Sequence, residues 1–307
     1  MFRQAENKVK IEGILAETDL KYSSFVKDGA DVEAIGGSIK VLVNQQINGA
    51  DTTLEVPVYM FSTKYTKAGK LNPAYESIER VMKEFLSIAA TGSMEQADKV
   101  RITNASIRMN EFLGQNGMVS QPRIYASFVS KATGEFAPCA TFNLEFMVSS
   151  MARETDKEGV ELDPPRLKVQ GIVPQYTAPS ASVMNVDLVT LVATSPSVID
   201  AIENYWQAGE CFKASGRLNF SSRTEEVLQE VDFGEAQKSY RTINVNEFVI
   251  TGGSQAPLDG DLAWELNDIK AGMAARKARL EEKKTSPNTA KKTPVQHGTK
   301  GALDLGF

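Results

Sequence analysis

Hydrophobic and polar residues alternate with period two along several stretches of the first 130 residues, which is the pattern of half-buried β-strands. A helical period replaces it once, at 72–92, where Asn72 suits the N-cap, Pro73 the first helical position and Gly92 the end of the helix. The patterns predict three strands, a helix and two strands, at residues 8–22, 36–46, 53–61, 72–92, 98–112 and 122–130.

This order is that of an OB-fold, a small Greek-key barrel whose strand 2–3 face and connecting loops bind oligonucleotides. The same order recurs later, with strands predicted at 140–153, 166–177 and 182–193, a helix at 195–209, and strands at 211–222 and 239–251. We therefore predict a mainly β protein with helices, built as two OB-fold-like barrels at 1–133 and 134–253. The acidic segment 223–238 is expected to be an insertion between the last two strands.

A second alignment of the two halves stays open at this point. It pairs KIEGIL (10–15) with KVQGIV (168–173), and it would move the first strand of the second barrel to a later segment. The alignment given above is preferred because it leaves no predicted strand unassigned.

The remaining residues predict a helix and a tail. A helix is expected at 259–284, within a C-terminal region 254–284, and its apolar positions at steps of four and three need a partner surface. These positions are Leu262, Leu266, Ile269, Met273 and Leu280. The last region, 285–307, lacks core-forming residues over 285–300 and is expected to be a flexible basic linker that ends in a short hydrophobic and acidic tip.

Composition indicates a globular chain with no membrane span. The hydrophobic fraction is 42% and the charged fraction 24%, and no apolar run approaches the roughly 20 residues that cross a bilayer. The first ten residues contain no apolar signal core, so the expected location is the cytoplasm, or the host cytoplasm if a phage encodes the protein. Cys139 and Cys211 lie far apart in the sequence and are expected to be reduced thiols.

The net charge of −5 is unevenly distributed. Residues 1–133 contain 16 Lys or Arg against 15 Asp or Glu, whereas residues 134–253 contain 9 against 17. Residues 254–307 contain 9 against 7. An acidic total therefore leaves room for a polyanionic partner on the first barrel, because binding depends on the local potential of one face.

The chemistry of catalysis is poorly represented. His297 is the only histidine, and it lies in the predicted linker, which argues against histidine-based triads and His-ligated metal sites. The sequence has no G-x-x-x-x-G-K-[ST] phosphate loop. We expect a protein that is not an enzyme, with no cofactor and no metal.

The stretch VPVYMFSTKYTKAGKLN (56–72) points to a binding function. Its alternation predicts that Val56, Val58 and Met60 point into the barrel, and that Tyr59 and Phe61 point outward. The loop that follows adds Lys64, Tyr65, Lys67 and Lys70, with no acid, and Gly69 is expected to make it mobile. Exposed rings beside cations suit single-stranded nucleic acid, because bases stack on the rings while the cations hold phosphates.

Other residues are predicted to share this surface: Lys40 on the second strand, Arg108 on the fourth, and Arg123 and Tyr125 together on the fifth, opposite Ile124, Ala126 and Phe128. An alternative interpretation stays open, in which Tyr59, Phe61 and Tyr65 close the end of the barrel or pack under the 72–92 helix. The lysines would then only keep the loop soluble.

The two OB-like halves, the acidic chain, the linker and the short tip together resemble a single-stranded DNA-binding protein with tandem OB-like domains, of the kind that bacteriophages with their own replication machinery carry. The resemblance implies a protein that coats and protects unpaired strands in replication, recombination and repair. Bacterial members end in an acidic peptide with a terminal Phe that docks replication and repair enzymes. Here LDLGF (303–307) offers Asp304, Leu305 and Phe307 but a single acid, which departs from that pattern.

Two other functions are compatible with the sequence. A structural or assembly protein, such as a virion component, could use two β-barrels for protein–protein packing and the 259–284 helix for oligomerisation. An RNA-binding or strand-annealing protein could use the same barrels. The sequence distinguishes neither DNA from RNA nor one oligomeric state from another.

Overall fold

The structure is a computed structural model that describes residues 2–47, 49–115, 117–229 and 237–285, with the backbone alone for 222–229 and 237–244. The strands are β1 Asn7–Lys27, β2 Ala30–Ile47, β3 Ala50–Thr63, β4 Lys99–Gly114, β5 Gly117–Tyr125, β6 Ser130–Lys131, β7 Cys139–Arg153, β8 Leu167–Pro174, β9 Val186–Ala193, β10 Cys211–Gln229 and β11 Gln237–Gly253. The helices are α1 Pro73–Glu84, α2 Ile88–Thr91, α3 Pro196–Tyr205 and α4 Leu266–Thr285, with a 3-10 turn at Gly260–Leu262.

The first five long strands close into a barrel. Strands β1, β2 and β3 pair antiparallel in chain order, β3 pairs parallel with β5, and β4 pairs antiparallel with both β5 and β1. The ring order β1-β2-β3-β5-β4, with α1 and α2 between β3 and β4, is the topology of an OB-fold. Val56, Val58 and Met60 are buried in its core, as the alternation predicts.

The second barrel repeats this topology. Strands β7, β8 and β9 pair antiparallel in chain order, β9 pairs parallel with β11, and β10 pairs with both β11 and β7. The predicted fold class, a mainly β protein with two OB-like barrels, is therefore confirmed. The second alignment of the halves is wrong, because KVQGIV lies in β8, the second strand of its barrel, and 140–153 lies in β7, the first.

Strand β1 of the first barrel joins it to the second barrel. Besides β2 and β4 it pairs with β7, from Asn7 opposite Leu144 to Glu12 opposite Cys139. The buried Glu12 carboxylate accepts two hydrogen bonds from Arg101, at 2.8 and 3.0 Å, and one from the Ala137 N–H at 3.2 Å. These bonds hold the pKa of Glu12 below its usual value. Because β1 pairs with β7, the strands of the two barrels form one continuous sheet.

The predicted 72–92 helix is two helices. Asn72 caps α1 as expected, since its Oδ1 accepts from the Ala74 N–H at 3.1 Å. The chain leaves α1 in an extended conformation at Phe85, and Leu86 exchanges hydrogen bonds with Asp98: its N–H donates to Oδ2 and its carbonyl accepts from the Asp98 N–H, both at 2.8 Å. This tertiary pairing breaks the helix. Gly92, with φ of 71°, ends α2 instead.

The acidic segment 223–238 is mostly strand, so its prediction as an insertion is wrong. Strand β10 continues to Gln229, and β11 begins at Gln237, which is paired opposite it. Residues 230–236 lie outside the described part of the chain. Period-two alternation did not predict this extension of the β10–β11 hairpin, because a two-stranded hairpin pairs through its backbone and needs no buried face.

Helix α4 packs on both barrels through fewer apolar residues than predicted. Ile269 is buried, but Leu262 and Leu266 are 50% and 43% exposed. Arg276, which interrupts the predicted stripe, faces the protein and forms an ion pair with Glu111 of β4. Arg279 Nη1 donates to Asn185 Oδ1 at 3.1 Å, so the helix also reaches the segment before β9. Among the described residues, no helix has the length and apolar character needed to cross a membrane.

Candidate nucleic-acid interface

Four adjacent strands of the first barrel, β2, β3, β5 and β4, bring the predicted residues together on their outer face. Tyr59 stands opposite Ser38 on β2 and opposite Tyr125 on β5, and Tyr125 stands opposite Ser106 on β4. These four residues form a row across the barrel, which we call the aromatic row. The alternation of side chains in a strand places the residues two positions along on the same face.

A second row, which we call the basic row, runs beside the aromatic row. Arg123 stands opposite Arg108 in the β4–β5 ladder, and Lys40 stands opposite Pro57 in the β2–β3 ladder. Each lies two positions from a member of the aromatic row along its own strand. The face therefore carries one row with two tyrosine rings and, beside it, one row with three cations. The two rows are two residues apart along each strand.

The two tyrosines are fixed by their neighbours. Their ring centroids are 5.9 Å apart with planes tilted by 40°. The guanidinium carbon of Arg123 lies 4.1 Å from the centroid of the Tyr59 ring, which is a cation–π contact. Both tyrosines are half-buried, so part of each side chain is accessible, while its orientation is set by neighbouring residues.

Phe61 is the most accessible ring of this face, with 54% of its surface exposed. Gly36 on the neighbouring strand makes room for it, since a Cβ at that position would lie 2.9 Å from the Phe61 ring. Phe25, near the end of β1, approaches to 6.4 Å between ring centroids. Sequence reasoning missed Phe25, because it lies beyond the predicted end of the first strand, where the alternation stops.

The cations of the face differ in their electrostatic environment. Lys40 Nζ lies 2.6 Å from Glu17 of β1, and this hydrogen bond raises the pKa of Lys40. Arg108 is exposed, and Arg123 Nε is buried without a hydrogen-bond partner in the described chain. The ion pairs among described residues include Lys40 but neither arginine. The arginines are thus the cations with the most capacity for a phosphate.

The loop after β3 carries the remaining predicted residues. Lys64 Nζ is paired with Glu33 at 2.6 Å, a hydrogen bond that raises the pKa of Lys64. Tyr65 is 53% exposed, and Lys67 and Lys70 are exposed.

Backbone hydrogen bonds close the loop into a tight hairpin, and its mobility stays a prediction. The Thr66 N–H donates to the Lys70 carbonyl at 2.8 Å, and the Asn72 N–H donates to the Lys64 carbonyl at 2.9 Å. Gly69 adopts φ of 74° in its turn, a conformation that glycine enters without strain.

The structure thus brings six predicted residues to one face, Lys40, Tyr59, Phe61, Arg108, Arg123 and Tyr125, and four to the adjoining hairpin, Lys64, Tyr65, Lys67 and Lys70. Helix α1 buries its own Tyr75, Ile78 and Val81, while Phe61 and Tyr65 stay exposed, so these two rings do not pack under the helix. Phe128, expected to point inward with Ile124, lies beyond the end of β5 and is exposed. Asp304, Leu305 and Phe307 lie outside the described residues.

The corresponding surface of the second barrel has a different character. Its parallel β9–β11 ladder pairs Val192 with Val249 and Ala193 with Ile250, and all four residues are buried. Lys168 on β8 is paired with Glu154 at 2.6 Å, and Arg166 is paired with Glu154 and with Glu247. In the described part of this barrel, valines replace the rings at the parallel pair, and neighbouring carboxylates pair with these cations.

Comparison with known proteins finds one matching family model and several similar solved structures. The family model YorF matches residues 5–286. Wild-type single-stranded DNA binding protein from Thermus aquaticus is similar at 10% identity with a TM-score of 0.47, covering 84% of this chain and 96% of that chain. A deletion mutant of that protein is similar at 10% identity with a TM-score of 0.45, covering 84% and 97%. No curated protein matches the sequence.

Proposed function

The chain belongs to the YorF family, and we propose that it binds single-stranded DNA with little dependence on sequence. The observation that carries this proposal is the outer face of the first barrel, where the aromatic row lies directly beside the basic row. The face lies on β2, β3 and their neighbours, the strands with which OB-folds bind oligonucleotides.

Stacking supplies the part of the affinity that does not depend on base identity. Every base has a π-face, and a base stacked on an aromatic side chain contributes roughly 1–3 kcal/mol. Phe61 offers the most exposed ring, with Phe25 beside it. Tyr59 is held by Arg123 in the free protein, so less side-chain entropy is lost when a base stacks against this pair.

Phosphate contacts supply the rest of the affinity. Arg108 and Arg123 stand opposite each other in the β4–β5 ladder, beside the aromatic row, and Lys67 and Lys70 lie on the hairpin that follows β3. Neutralising phosphates with these cations releases counterions, which favours binding at low salt. The mechanism is non-catalytic and requires no cofactor.

We propose that the biological role is to coat and protect unpaired strands during replication, recombination and repair, in the cytoplasm. Residues 1–133 would form the first OB-like domain, with the main nucleic-acid face. Residues 134–253 would form the second OB-like domain. Asp304, Leu305 and Phe307 would dock replication or recombination proteins, as the resemblance of the C-terminal tip implies.

The experiment is a fluorescence titration with oligo-dT of the wild type and of the combined variant Tyr59→Ala, Phe61→Ala and Tyr65→Ala. We expect saturable quenching by the wild type and its loss in the variant, with an unchanged circular dichroism spectrum. Tyr205→Ala is the matched control, because this tyrosine is 48% exposed on α3 of the second barrel. Its affinity for oligo-dT should equal that of the wild type.

An absence of binding by the wild type at micromolar concentration would contradict the proposal and favour an assembly role. Equal affinities of the wild type and the triple variant would show that DNA binds elsewhere on the protein. A titration with oligo-rU in parallel distinguishes an RNA-binding protein, which would bind the ribose strand more tightly because the 2′-hydroxyl adds contacts.

A further inference from the structure

A groove of about 600 Å³ lies at the end of the aromatic row that includes Tyr125 and Ser106. The rings of Phe61 and Tyr125 form part of its wall, and Arg108 lies at its border. Strands β3 and β5 pair only through Val58–Ile124 and Tyr59–Tyr125, so they diverge after Tyr125. This divergence opens the groove between Phe61 and the residues that follow β5.

The polar lining of the groove is uncharged and available for hydrogen bonds. Gln4, Asn104, Ser106 and Ser127 line it, and among the described residues none of their side chains makes a hydrogen bond. Asn7 also lines it but is already used, because its amide accepts from the Ile107 N–H at 2.8 Å and donates to the Ile107 carbonyl at 2.7 Å. Asn7 therefore fixes the floor, and the other four face the space above it.

We propose that this groove takes one nucleobase of the bound strand and hydrogen-bonds its edge, an inference that rests on the proposed function. Two aromatic walls suit a planar heterocycle. A carboxamide presents a donor beside an acceptor, which matches the edge of a nucleobase. No carboxylate lines the groove, so a neutral base enters without meeting a negative charge, and Arg108 lies where the adjoining phosphate would follow.

The groove gives the face two kinds of contact with different consequences. Stacking on Phe61 and on the tyrosines accepts every base, with only modest preferences that come from stacking strength, whereas hydrogen bonds to the edge of a base distinguish one base from another. One position of the bound strand should therefore show a base preference while its neighbours do not. The protein would rank homopolymers by affinity while still binding each of them.

The test compares the affinities of oligo-dT, oligo-dC and oligo-dA for the full-length protein and for the double variant Asn104→Ala, Ser127→Ala. For the wild type we expect the strongest and weakest affinities to differ by roughly fivefold or more, as expected for one edge-reading contact. In the double variant the ratio of the strongest to the weakest affinity should fall to about twofold, the modest preference that differences in stacking strength leave. Gln121→Ala, an exposed amide on β5 outside the groove, is the matched control and should keep the wild-type ratios.

Equal wild-type affinities for the three oligonucleotides, or ratios that the double variant leaves unchanged, would overturn the groove proposal while leaving the proposed function intact. A wild type that binds none of them would overturn both. If the double variant does not fold, the single variant Asn104→Ala provides the same comparison, because Asn104 is exposed on the outer face of β4. Ratios that stay at the wild-type values in that variant would contradict the proposal equally.

Discussion

At the residue scale, a glycine on one strand determines where the phenylalanine ring of the neighbouring strand lies on the outer face of the first barrel. Gly36 lies opposite Phe61 in the β2–β3 ladder, and the absence of a side chain lets the ring lie over the strand. A Cβ there would also lie 3.0 Å from the Met60 carbonyl oxygen. The position of the most exposed ring therefore depends on a residue that sequence reasoning would assign to a turn or bulge.

Gly36→Ala should weaken binding of oligo-dT by moving the Phe61 ring away from the face. We expect a loss that approaches that of Phe61→Ala, which removes one stacking contact of ~1–3 kcal/mol. The double variant should lose little more than Phe61→Ala alone, because both changes act through one ring. Additive losses measured in this cycle would show that Gly36 affects binding by another route.

The residue scale also shows which site features could be predicted. The outward direction of Phe61 and the inward direction of Val56, Val58 and Met60 follow from period-two alternation, which is a local property. The pairing of Tyr59 with Tyr125 and the cation–π contact with Arg123 depend on the parallel contact between β3 and β5. A single sequence does not specify which strands pair at such a distance along the chain.

At the scale of elements, a half-buried carboxylate connects β9 of the second barrel with β4 of the first. Asp187 Oδ2 accepts a hydrogen bond from the Met109 N–H at 3.1 Å. Burial raises the pKa of Asp187 despite this bond, and the nearby Glu111 carboxylate raises it further, while Arg276 and Arg108 act in the opposite direction. The charged form of Asp187 is therefore less favourable in the folded chain than in the unfolded chain.

Asp187→Asn should consequently stabilise the protein at neutral pH. The wild-type side chain binds its proton more tightly when folded, so its contribution to stability is complete below the unfolded pKa near 3.8 and is lost as the pH rises through the folded value. The asparagine oxygen keeps the acceptor for Met109 and carries no charge. Thermal melts should show a higher Tm for the variant at pH 7 and a difference that shrinks toward pH 4. A lower Tm for the variant at pH 7 would mean that the ionised carboxylate stabilises the fold.

For the helices, local sequence specifies some of the ends, whereas tertiary contacts decide the others and the packing. Asn72 and Pro73 correctly mark the start of α1, because N-caps are local. The end of α1 at Glu84 is decided by the hydrogen bonds between Leu86 and Asp98, residues twelve positions apart. The predicted stripe fails at Leu262, which lies in the 3-10 turn before α4, and at Leu266, because α4 approaches the barrels through Ile269, Gly272 and the Arg276–Glu111 ion pair.

At the scale of the whole molecule, two barrels of the same topology differ in the surface they present. The order of strands and helices was predictable in both halves, because each barrel repeats the same local patterns. The difference in charge was also visible, with a balanced first region and an acidic second region. The connection of the two barrels into one sheet could not be predicted, since it depends on the pairing of β1 with β7.

Binding to oligo-dT should weaken with salt although the whole chain is acidic. Four cations without a carboxylate partner among the described residues, Arg108, Arg123, Lys67 and Lys70, belong to the proposed interface. At about −0.7 per phosphate contact, the slope of log affinity against log salt should be close to −3. Titrations between low and high salt measure this slope, and Lys67→Ala with Lys70→Ala should reduce its magnitude by about half. A slope near zero would exclude phosphate contacts as a source of affinity.

The most direct measurement is photo-crosslinking of the wild-type protein to an oligonucleotide that contains 5-iododeoxyuridine, followed by mass spectrometry of the crosslinked peptides. A halogenated base that stacks on a ring reacts with that ring, so the crosslinks report which aromatic residues contact bases. The account predicts crosslinks to Tyr59, Phe61 and Tyr125 on the outer face of the first barrel. Crosslinks confined to the second barrel, with none on this face, would contradict it.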